Sequence, residues 1–302
     1  MTDGGQSKPL VSVIVPTYNR GYFILEALDS IWSQSYRPIE VVVVDDGSTD
    51  ATQSVLECWN KKCRDREVSF RYVRTENRGA PAARNLGMRL CTGKYLQFLD
   101  SDDTLEPEKI SCQVDALERS GYALAVCDFA MVRKGDETAN MQKMSNTGDL
   151  HARMINGWSI FISTPLMTKS VVLGKAWWEE SLARSQDMDF MLKVFCLNDC
   201  YVYNPEVWSY WHQHAAPRIS DIYRWTDFPN FSVMVSLVKF GLSSYTHLSR
   251  EGRKFLYACI RYRARSLRAS LKHQVISSAR DAYASSLPLD FRLFLRRVRG
   301  KP

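Results

Sequence analysis

The chain has 302 residues, of which 45% are hydrophobic and 24% are charged; this composition excludes a disordered chain and leaves ample sequence for a folded core. The formal net charge is +7. Residues 250–302 carry 14 Lys and Arg against three acidic residues, a net +11 that leaves the first 249 residues slightly acidic, so a chain that is basic throughout is also excluded.

The cysteines and the apolar runs indicate a reducing, non-membrane environment. The eight cysteines are scattered through apolar stretches without a C-x-x-C pair, so we expect reduced core residues. Cys196 and Cys200 lie four positions apart, and a metal role for that pair stays open. The N-terminus, MTDGGQSKPL, has no basic segment followed by an apolar one, and no apolar run approaches about 18 residues. We therefore expect a cytoplasmic protein.

The first elements along the chain form a strand, helix, strand unit. VSVIV (11–15) and VVVV (41–44) are continuous apolar runs rich in β-branched residues, which favour strands buried on both faces of a parallel sheet. Between them, Ile24, Leu28 and Ile31 recur at helical spacing.

The same alternation continues along the chain. Further strands are predicted at 70–73, 94–99 and 123–132, and helices at 81–90 and 107–121. Strands that alternate with helices predict an α/β doubly wound structure. Residues 133–170 are predicted as loops and short strands, 186–197 as an amphipathic helix, 201–214 as strand-like, and the remainder as mostly helical and basic.

Three polar clusters follow predicted strands: PTYNR (16–20), DDGSTD (45–50) and DSDD (100–103). In open α/β sheets, ligands bind beyond the carboxyl ends of the strands. We therefore expect these clusters to meet at one site. DDGSTD alone is equally well explained as a turn in which Ser48 or Thr49 caps the next helix.

DSDD concentrates negative charge that a cation would neutralise. If the strand stays extended, Asp100 and Asp102 project to one face about 7 Å apart. Mg²⁺ and Mn²⁺ prefer carboxylate ligands and complete their shell with phosphate and water. The alternative is a polar turn in which Asp103 or Thr104 caps the helix entered at Pro107. Both functions are compatible, with Asp103 as the cap.

These motifs together resemble the N-terminal half of family 2 glycosyltransferases. The matching segments are VSVIVPTYNR, IEVVVVDDGSTDAT and NRGAPAARNLGMRLCTGKYLQFLDSDDTLEPEKI. The resemblance implies an α/β GT-A nucleotide-diphospho-sugar transferase fold, Rossmann-like, with a mostly parallel central sheet flanked by helices; the charge and helical spacing of the last part of the chain add a helical basic C-terminal extension. We therefore divide the chain into an N-terminal tail (1–9), a nucleotide-sugar-binding half (10–132), an acceptor and catalytic-base half (133–215) and the helical basic region (216–302).

The resemblance also implies roles for individual residues. The P-T-Y-N segment would lie against the donor's base, Asp46 would bind the base edge, and Arg84 would touch base or phosphate. Asp100 and Asp102 correspond to the D-x-D motif that holds Mn²⁺ or Mg²⁺ against the diphosphate. The expected nucleotide-binding residues are Pro16, Thr17, Tyr18, Asn19, Asp46, Arg84 and Ser101.

The second half is expected to supply a catalytic base. SLARSQDMDFMLKVF (181–195) resembles the family's E-D-x-D-[LF] segment, in which the first aspartate, here Asp187, deprotonates the acceptor hydroxyl. Gln186 stands where Glu is more usual. The alternative for Asp187 is a carboxylate that is stabilised at a helix N-terminus. Asp189 is expected to be structural.

Two histidines and two tryptophans complete the candidate site. Relatives often place a histidine after the strand that ends in WHQH, so His212 or His214 is a candidate contact for diphosphate or metal; a solvated loop is the alternative. Trp177 and Trp178 precede the base segment and are candidate acceptor contacts, since aromatic faces pack on sugar rings. Core packing is the alternative for both tryptophans.

The C-terminal region carries an apolar stripe beside a basic one. Leu256, Ile260, Ala264, Leu267 and Leu271 fall at helical spacing; the basic stripe is Arg261, Arg265, Arg268 and Lys272. This surface favours peripheral binding to an anionic membrane, on its cytosolic face. The alternative is a helix that packs on the catalytic domain with solvated arginines.

The function predicted from these observations is metal-dependent, inverting transfer of a sugar from a nucleotide sugar, with UDP favoured, to a glycan or lipid-linked acceptor in cell-surface polysaccharide biosynthesis. A Rossmann-type oxidoreductase would share the architecture, but PTYNRG stands where G-x-G-x-x-G would be expected. A nucleic-acid-binding protein would leave the aspartate clusters unexplained, so no nucleic acid is expected as partner.

Overall fold

The computed structural model describes residues 7–62, 67–133, 142–156, 160–213 and 229–270. The candidate residue His214 and the tail beyond residue 270 lie outside these ranges.

One sheet crosses the described part of the chain. Its nine strands lie in the order β3-β2-β1-β4-β8-β6-β9-β5, with β7 paired to β6. The strands are β1 Val11–Thr17, β2 Ile39–Asp45, β3 Val68–Arg74, β4 Tyr95–Phe98, β5 Thr104–Leu105, β6 Leu124–Arg133, β7 Gln142–Met144, β8 Pro165–Thr168 and β9 Val202–Gln213.

Helices cover both faces of this sheet. They are α1 Ile24–Trp32, α2 Thr52–Lys62, α3 Ala80–Leu90, α4 Lys109–Ser120, α5 Leu150–Ile155, α6 Lys169–Val172, α7 Gln186–Leu197, α8 Pro229–Ser244 and α9 Arg250–Ser270. The short helix α5 lies where the sequence predicted only loops and short strands. Asp149 starts it by accepting a hydrogen bond from the Ala152 amide at 3.2 Å, a cap that a six-residue segment does not reveal by periodicity.

The apolar runs of the first two strands are buried on both faces, as predicted. Every residue of β1 and β2 is buried. Ile14 and Val42 face the core that contains α7 and α9, whereas Val13 and Val41 face the core that contains α1 and α4. Burial of each such side chain contributes about 1.5–3 kcal/mol. The two cores explain why these strands lack an alternating polar pattern.

The strand directions bring the predicted polar clusters to one edge. β1 pairs in parallel with both β2 and β4, so the three strands end at the same edge of the sheet. β8 runs antiparallel between β4 and β6, and β6 therefore points toward that edge too. β5 pairs antiparallel with β9, so the end of β9 lies beside the turn that follows β4.

The described part of the C-terminal helix packs on the core. Leu256 and Ile260, from the apolar stripe, are 1% and 2% exposed and belong to the same core cluster as Phe190 of α7. Their aliphatic side chains are therefore not available for insertion into a membrane. Arg265 remains exposed. None of the helices in the described ranges combines the length and the apolar character that crossing a bilayer requires.

Candidate active site

The DSDD segment forms a turn at the carboxyl edge of β4. The strand ends at Phe98, and the Asp103 amide donates to the Asp100 carbonyl at 3.1 Å. The strand therefore does not stay extended through Asp102, which was the condition for placing Asp100 and Asp102 on one face, because the chain reverses to enter β5. The Asp100 and Asp102 side chains stay partly accessible, at 27% and 19%, so both carboxylates can be reached by a ligand.

Asp103 anchors the return strand and does not cap a helix. It is 1% exposed, and its Oδ1 accepts a hydrogen bond from the His212 amide at 3.1 Å. The next helix has Glu108 at its N-cap position without a side-chain cap. The His212 ring lies beside the same turn, with Nε2 2.8 Å from Thr104 Oγ1.

Arg84 joins the turn to the helix that bears the candidate base. Its Nη2 donates to Asp100 Oδ1 at 2.7 Å, and its Nη1 donates to Gln186 Oε1 at 3.3 Å. Its side chain is 6% exposed. Burial lowers the pKa of Arg84, but Asp100, Asp187 and other nearby carboxylates outweigh it and raise the pKa. The guanidinium is therefore a permanent positive charge between two acidic groups.

Trp178 supports Arg84 from behind. The guanidinium carbon lies 4.4 Å from the centroid of the Trp178 ring. The same indole stacks on the ring of Phe190, with 4.4 Å between the ring centroids and 4° between the ring planes. Trp178 is 2% exposed, so the expectation that it lines an acceptor pocket is wrong. Trp177 packs near Arg89 at 5.6 Å, in the last turn of α3.

The first two polar clusters are tied together by Asn19. Its Oδ1 accepts from the Thr49 amide at 2.7 Å, and its own amide donates to Ser48 Oγ at 2.9 Å. Asn19 adopts φ 52°, a left-handed conformation that Asn tolerates better than most residues. Tyr18, beside it at the strand end, is 45% exposed, whereas Thr17 is buried in β1.

Asp46 shapes the loop that enters α3. Its carboxylate accepts the amides of Arg78 at 2.8 Å and Gly79 at 2.7 Å, and it is 4% exposed. Gly79 has φ 92°, a conformation that favours glycine. Asp46 therefore fixes the loop before Arg84; a direct bond to a nucleotide base stays a prediction.

Glu180 is a site residue that the sequence reading missed. It accepts from Arg78 Nη2 at 2.8 Å and from Asn85 Nδ2 at 3.0 Å. These bonds connect the loop before α3 with the segment that leads into α7. The partners lie about a hundred positions apart in the chain, and no local pattern signals such a pairing.

Asp187 lies in the first turn of α7, next to Gln186, which Arg84 contacts. Its side chain is partly buried. Desolvation by the surrounding protein raises the pKa of Asp187 from 3.8 to about 6, Arg84 lowers it and Asp100 raises it again. A carboxyl group with this pKa accepts protons near neutrality.

Asp189 is buried and pairs with Lys193 at 2.7 Å, as its predicted structural role requires.

The side chains at the turn fit a hard divalent cation whose coordination shell is completed by a bound ligand. In the described ranges, no three His, Cys, Asp or Glu side chains are grouped to hold a metal by themselves. Mg²⁺ and Mn²⁺ are commonly held by one or two carboxylates together with substrate phosphates. The oxygens of Asp100 and Asp102, with His212 beside the turn, meet that requirement. Arg20 approaches Asp102 at 3.6 Å and adds a cation that favours phosphate.

The sequence matches a known family over more than half its length. The family model described as "Glycosyl transferase family 2" matches residues 12–171. The chain belongs to this family. The match includes all three polar clusters at the strand ends, and its range stops before Asp187.

Relatives that are named as glycosyltransferases match part of the chain. An uncharacterized glycosyltransferase of Rickettsia prowazekii is 30% identical over 221 residues, which are 69% of this chain and 65% of the relative. The putative teichuronic acid biosynthesis glycosyltransferase TuaG of Bacillus subtilis is 39% identical over 128 residues, 40% of this chain and 50% of TuaG. Both matches span less than two thirds of the relative's own length.

Solved structures share the fold of this family-2 chain. TarS 1-349 of S. aureus, in complex with UDP-GlcNAc, has a TM-score of 0.65 and 20% identity, covering 96% of this chain and 79% of that chain. The mannosyltransferase PcManGT of Pyrobaculum calidifontis, in complex with GDP-Man and Mn²⁺, has a TM-score of 0.54 and 20% identity, covering 97% and 85%. The likeness confirms the GT-A fold that the sequence predicted.

Proposed function

We propose that the chain is an inverting, metal-dependent glycosyltransferase. It moves a sugar from a nucleoside diphosphate sugar, with UDP favoured, to a hydroxyl group of a glycan or lipid-linked acceptor. The observation that carries the proposal is the convergence on Arg84 of the Asp100 carboxylate and the first turn of α7, because it joins the candidate metal turn to the candidate base. Family membership supports the same activity.

The proposed step is a single displacement at the anomeric carbon. The acceptor O–H gives its proton to the Asp187 carboxylate while its oxygen forms a bond to that carbon. The bond from carbon to the diphosphate oxygen breaks, and its electron pair leaves with the nucleoside diphosphate. One displacement on the face opposite the leaving group inverts the configuration.

Each charged residue has a proposed part in that step. Asp100 and Asp102 would hold Mn²⁺ or Mg²⁺, which supplies charge neutralisation for the leaving diphosphate. Arg84 holds Asp100 in place. Arg20, 3.6 Å from Asp102, is a proposed contact for a phosphate group of the donor. With a pKa of about 6, Asp187 is about ten to one deprotonated at pH 7 and is ready to act as a base.

The nucleotide is proposed to lie over the ends of β1 and β2. The exposed ring of Tyr18 is available for contact with the base, and Asp46 and Asn19 hold the two flanking loops. Pro16, Thr17 and Ser101 complete the proposed contacts. Two structural neighbours support a nucleotide-sugar donor, since TarS is in complex with UDP-GlcNAc and PcManGT with GDP-Man and Mn²⁺.

The proposed acceptor belongs to cell-surface polysaccharide, O-antigen or lipopolysaccharide biosynthesis. The relative TuaG is a putative teichuronic acid biosynthesis glycosyltransferase. We further propose that the outward side of α9, with Arg265 exposed and Arg261 partly exposed, meets an anionic membrane on its cytosolic face. Because the apolar side of the helix is buried, this contact would be electrostatic.

Thermal shift tests the donor and the metal together. The wild type would be titrated with UDP, GDP and their sugars, each with Mn²⁺ or with EDTA. We expect at least one nucleotide to raise Tm by about 4 °C or more at 100 times its Kd, only with Mn²⁺. Asp102→Ala should lose this response, whereas Asp115→Ala, an exposed aspartate of α4, should keep it. No metal-dependent response from any nucleotide would contradict the proposal.

A further inference from the structure

The C-terminal helix α9 runs antiparallel along the helix that carries Asp187. Near its start, Gly252 lies so close to α7 that an added Cβ would be 2.1 Å from the Cys196 carbonyl oxygen. Eleven residues later, Arg263 reaches Met188, with Nη2 3.1 Å from its sulfur. As α9 advances, its contacts therefore move from the last turn of α7 back to the first.

Arg263 makes the contact at the catalytic end of α7 from a fully buried position. Its exposed fraction is 0%, and besides Met188 it donates to the Cys259 carbonyl at 3.2 Å. Its Nε has no hydrogen-bond partner among the described residues. Burial lowers the pKa of Arg263, while Cys259, Asp189 and other neighbours raise it. An arginine placed here costs stability relative to an apolar side chain.

The nearby carboxylate is already paired with a different cation. Asp189 lies 2.7 Å from Lys193 on the same helix, and among the described residues no short ion pair involves Arg263. The guanidinium instead contacts Met188, the residue immediately after Asp187. A planar, rigid fork fixes the direction of its contacts, whereas an aliphatic side chain of similar length does not.

We propose that Arg263 is a positioning residue for Asp187, acting through Met188 on the first turn of α7. This proposal rests on the proposed function, in which Asp187 is the base. Arg84 restrains the same turn from the side of the metal turn through Gln186, and Arg263 restrains it from the side of α9. The C-terminal helix is thus part of the catalytic architecture.

A positioning role and a merely structural role predict different results for Arg263→Met in the full-length chain. The probe is hydrolysis of UDP-GlcNAc with Mn²⁺, in which water takes the place of the acceptor hydroxyl and UDP is released; it is followed well below Tm, together with calorimetric titration of UDP. We expect kcat to fall about tenfold or more while the Kd for UDP with Mn²⁺ changes less than about twofold. Lys254→Met removes an exposed cation of the same helix and should leave both values unchanged.

A double-mutant cycle with Met188→Leu tests the contact itself. The double variant Met188→Leu with Arg263→Met should lose no more kcat than Arg263→Met alone, because both changes remove one contact. Arg263→Lys should recover part of kcat. Unchanged kcat in Arg263→Met, equal losses in kcat and UDP affinity, or additive losses in the cycle would each overturn the proposal. A wild type that binds UDP but hydrolyses none of the UDP-sugars in the thermal-shift panel would contradict the proposed function instead.

Discussion

Arg84 donates to Asp100 across 2.7 Å and is buried against the ring of Trp178. The same guanidinium contacts Gln186, the residue before Asp187. One arginine thereby sets the relative position of two carboxylates that lie far apart in the sequence. Arg84 therefore has a structural role, which a residue that only contacts base or phosphate would not have.

Arg84→Met should therefore affect stability and catalysis together. The change removes a charge-assisted bond and leaves Asp100, which is partly solvated, without that partner, so we expect a loss of about 1–3 kcal/mol in the free energy of unfolding. We also expect at least a tenfold loss in kcat/KM, because the metal turn and the base lose their common restraint. Urea unfolding and UDP release measure the two effects. Arg89→Met, an exposed change in the same helix, is the control.

Activity should decline in acid with an apparent pKa near 6. The pKa of Asp187 is raised to about 6, first by desolvation, and protonation removes the base. The profile of kcat/KM from pH 5 to 8 should therefore fall about tenfold per pH unit well below 6. A profile that stays flat down to pH 5 would contradict this role, after a check that the protein remains folded there.

The same raised pKa predicts that Asp187→Asn stabilises the fold at alkaline pH. Because the folded-state pKa lies above the ordinary value of 3.8, the folded state bears the cost of an ionised Asp187 above pH 6. That cost disappears as pH falls from 6 to below 3.8. Asp187→Asn should increase the free energy of unfolding by about 1–2 kcal/mol at pH 8 and by much less at pH 4. Equal effects at both pH values would argue against the raised pKa.

Binding to anionic vesicles should depend on the outward basic side of α9. Arg261→Glu with Arg265→Glu should abolish co-sedimentation with phosphatidylserine-containing liposomes, since the contact is electrostatic and each cation contributes about 1 kcal/mol. Lys61→Glu with Arg119→Glu makes the same charge change at exposed positions of α2 and α4. If both pairs of changes behave alike, or if the wild type stays in the supernatant, α9 is not a membrane surface.

Much of the fold was predictable because its signals are local. The apolar runs at 11–15 and 41–44 identified buried parallel strands, and Gly121 marked the end of α4, where it adopts φ 69° as a left-handed cap. The meeting of the three polar clusters at one edge of the sheet was then predictable from the parallel direction of the strands alone. Family 2 membership and the GT-A fold were predicted from the same segments and are confirmed.

The remaining errors concern contacts between distant parts of the chain. Whether Asp103 caps a helix or holds β9 depends on His212, and whether Trp178 meets an acceptor or the core depends on Phe190 and Arg84. The apolar stripe of α9 fits a membrane and a protein core equally well as a pattern. Only the packing of α9 on α7 distinguishes them.

The central claim is that Asp187 acts as the base for transfer while the Asp100 turn binds the donor. Asp187→Ala tests it most directly when the Kd for UDP with Mn²⁺ and the rate of UDP release from UDP-GlcNAc are measured on the same preparation. We predict a Kd within about twofold of the wild type and a rate at least a hundredfold lower. An Asp187→Ala enzyme that retains the wild-type rate would contradict the account.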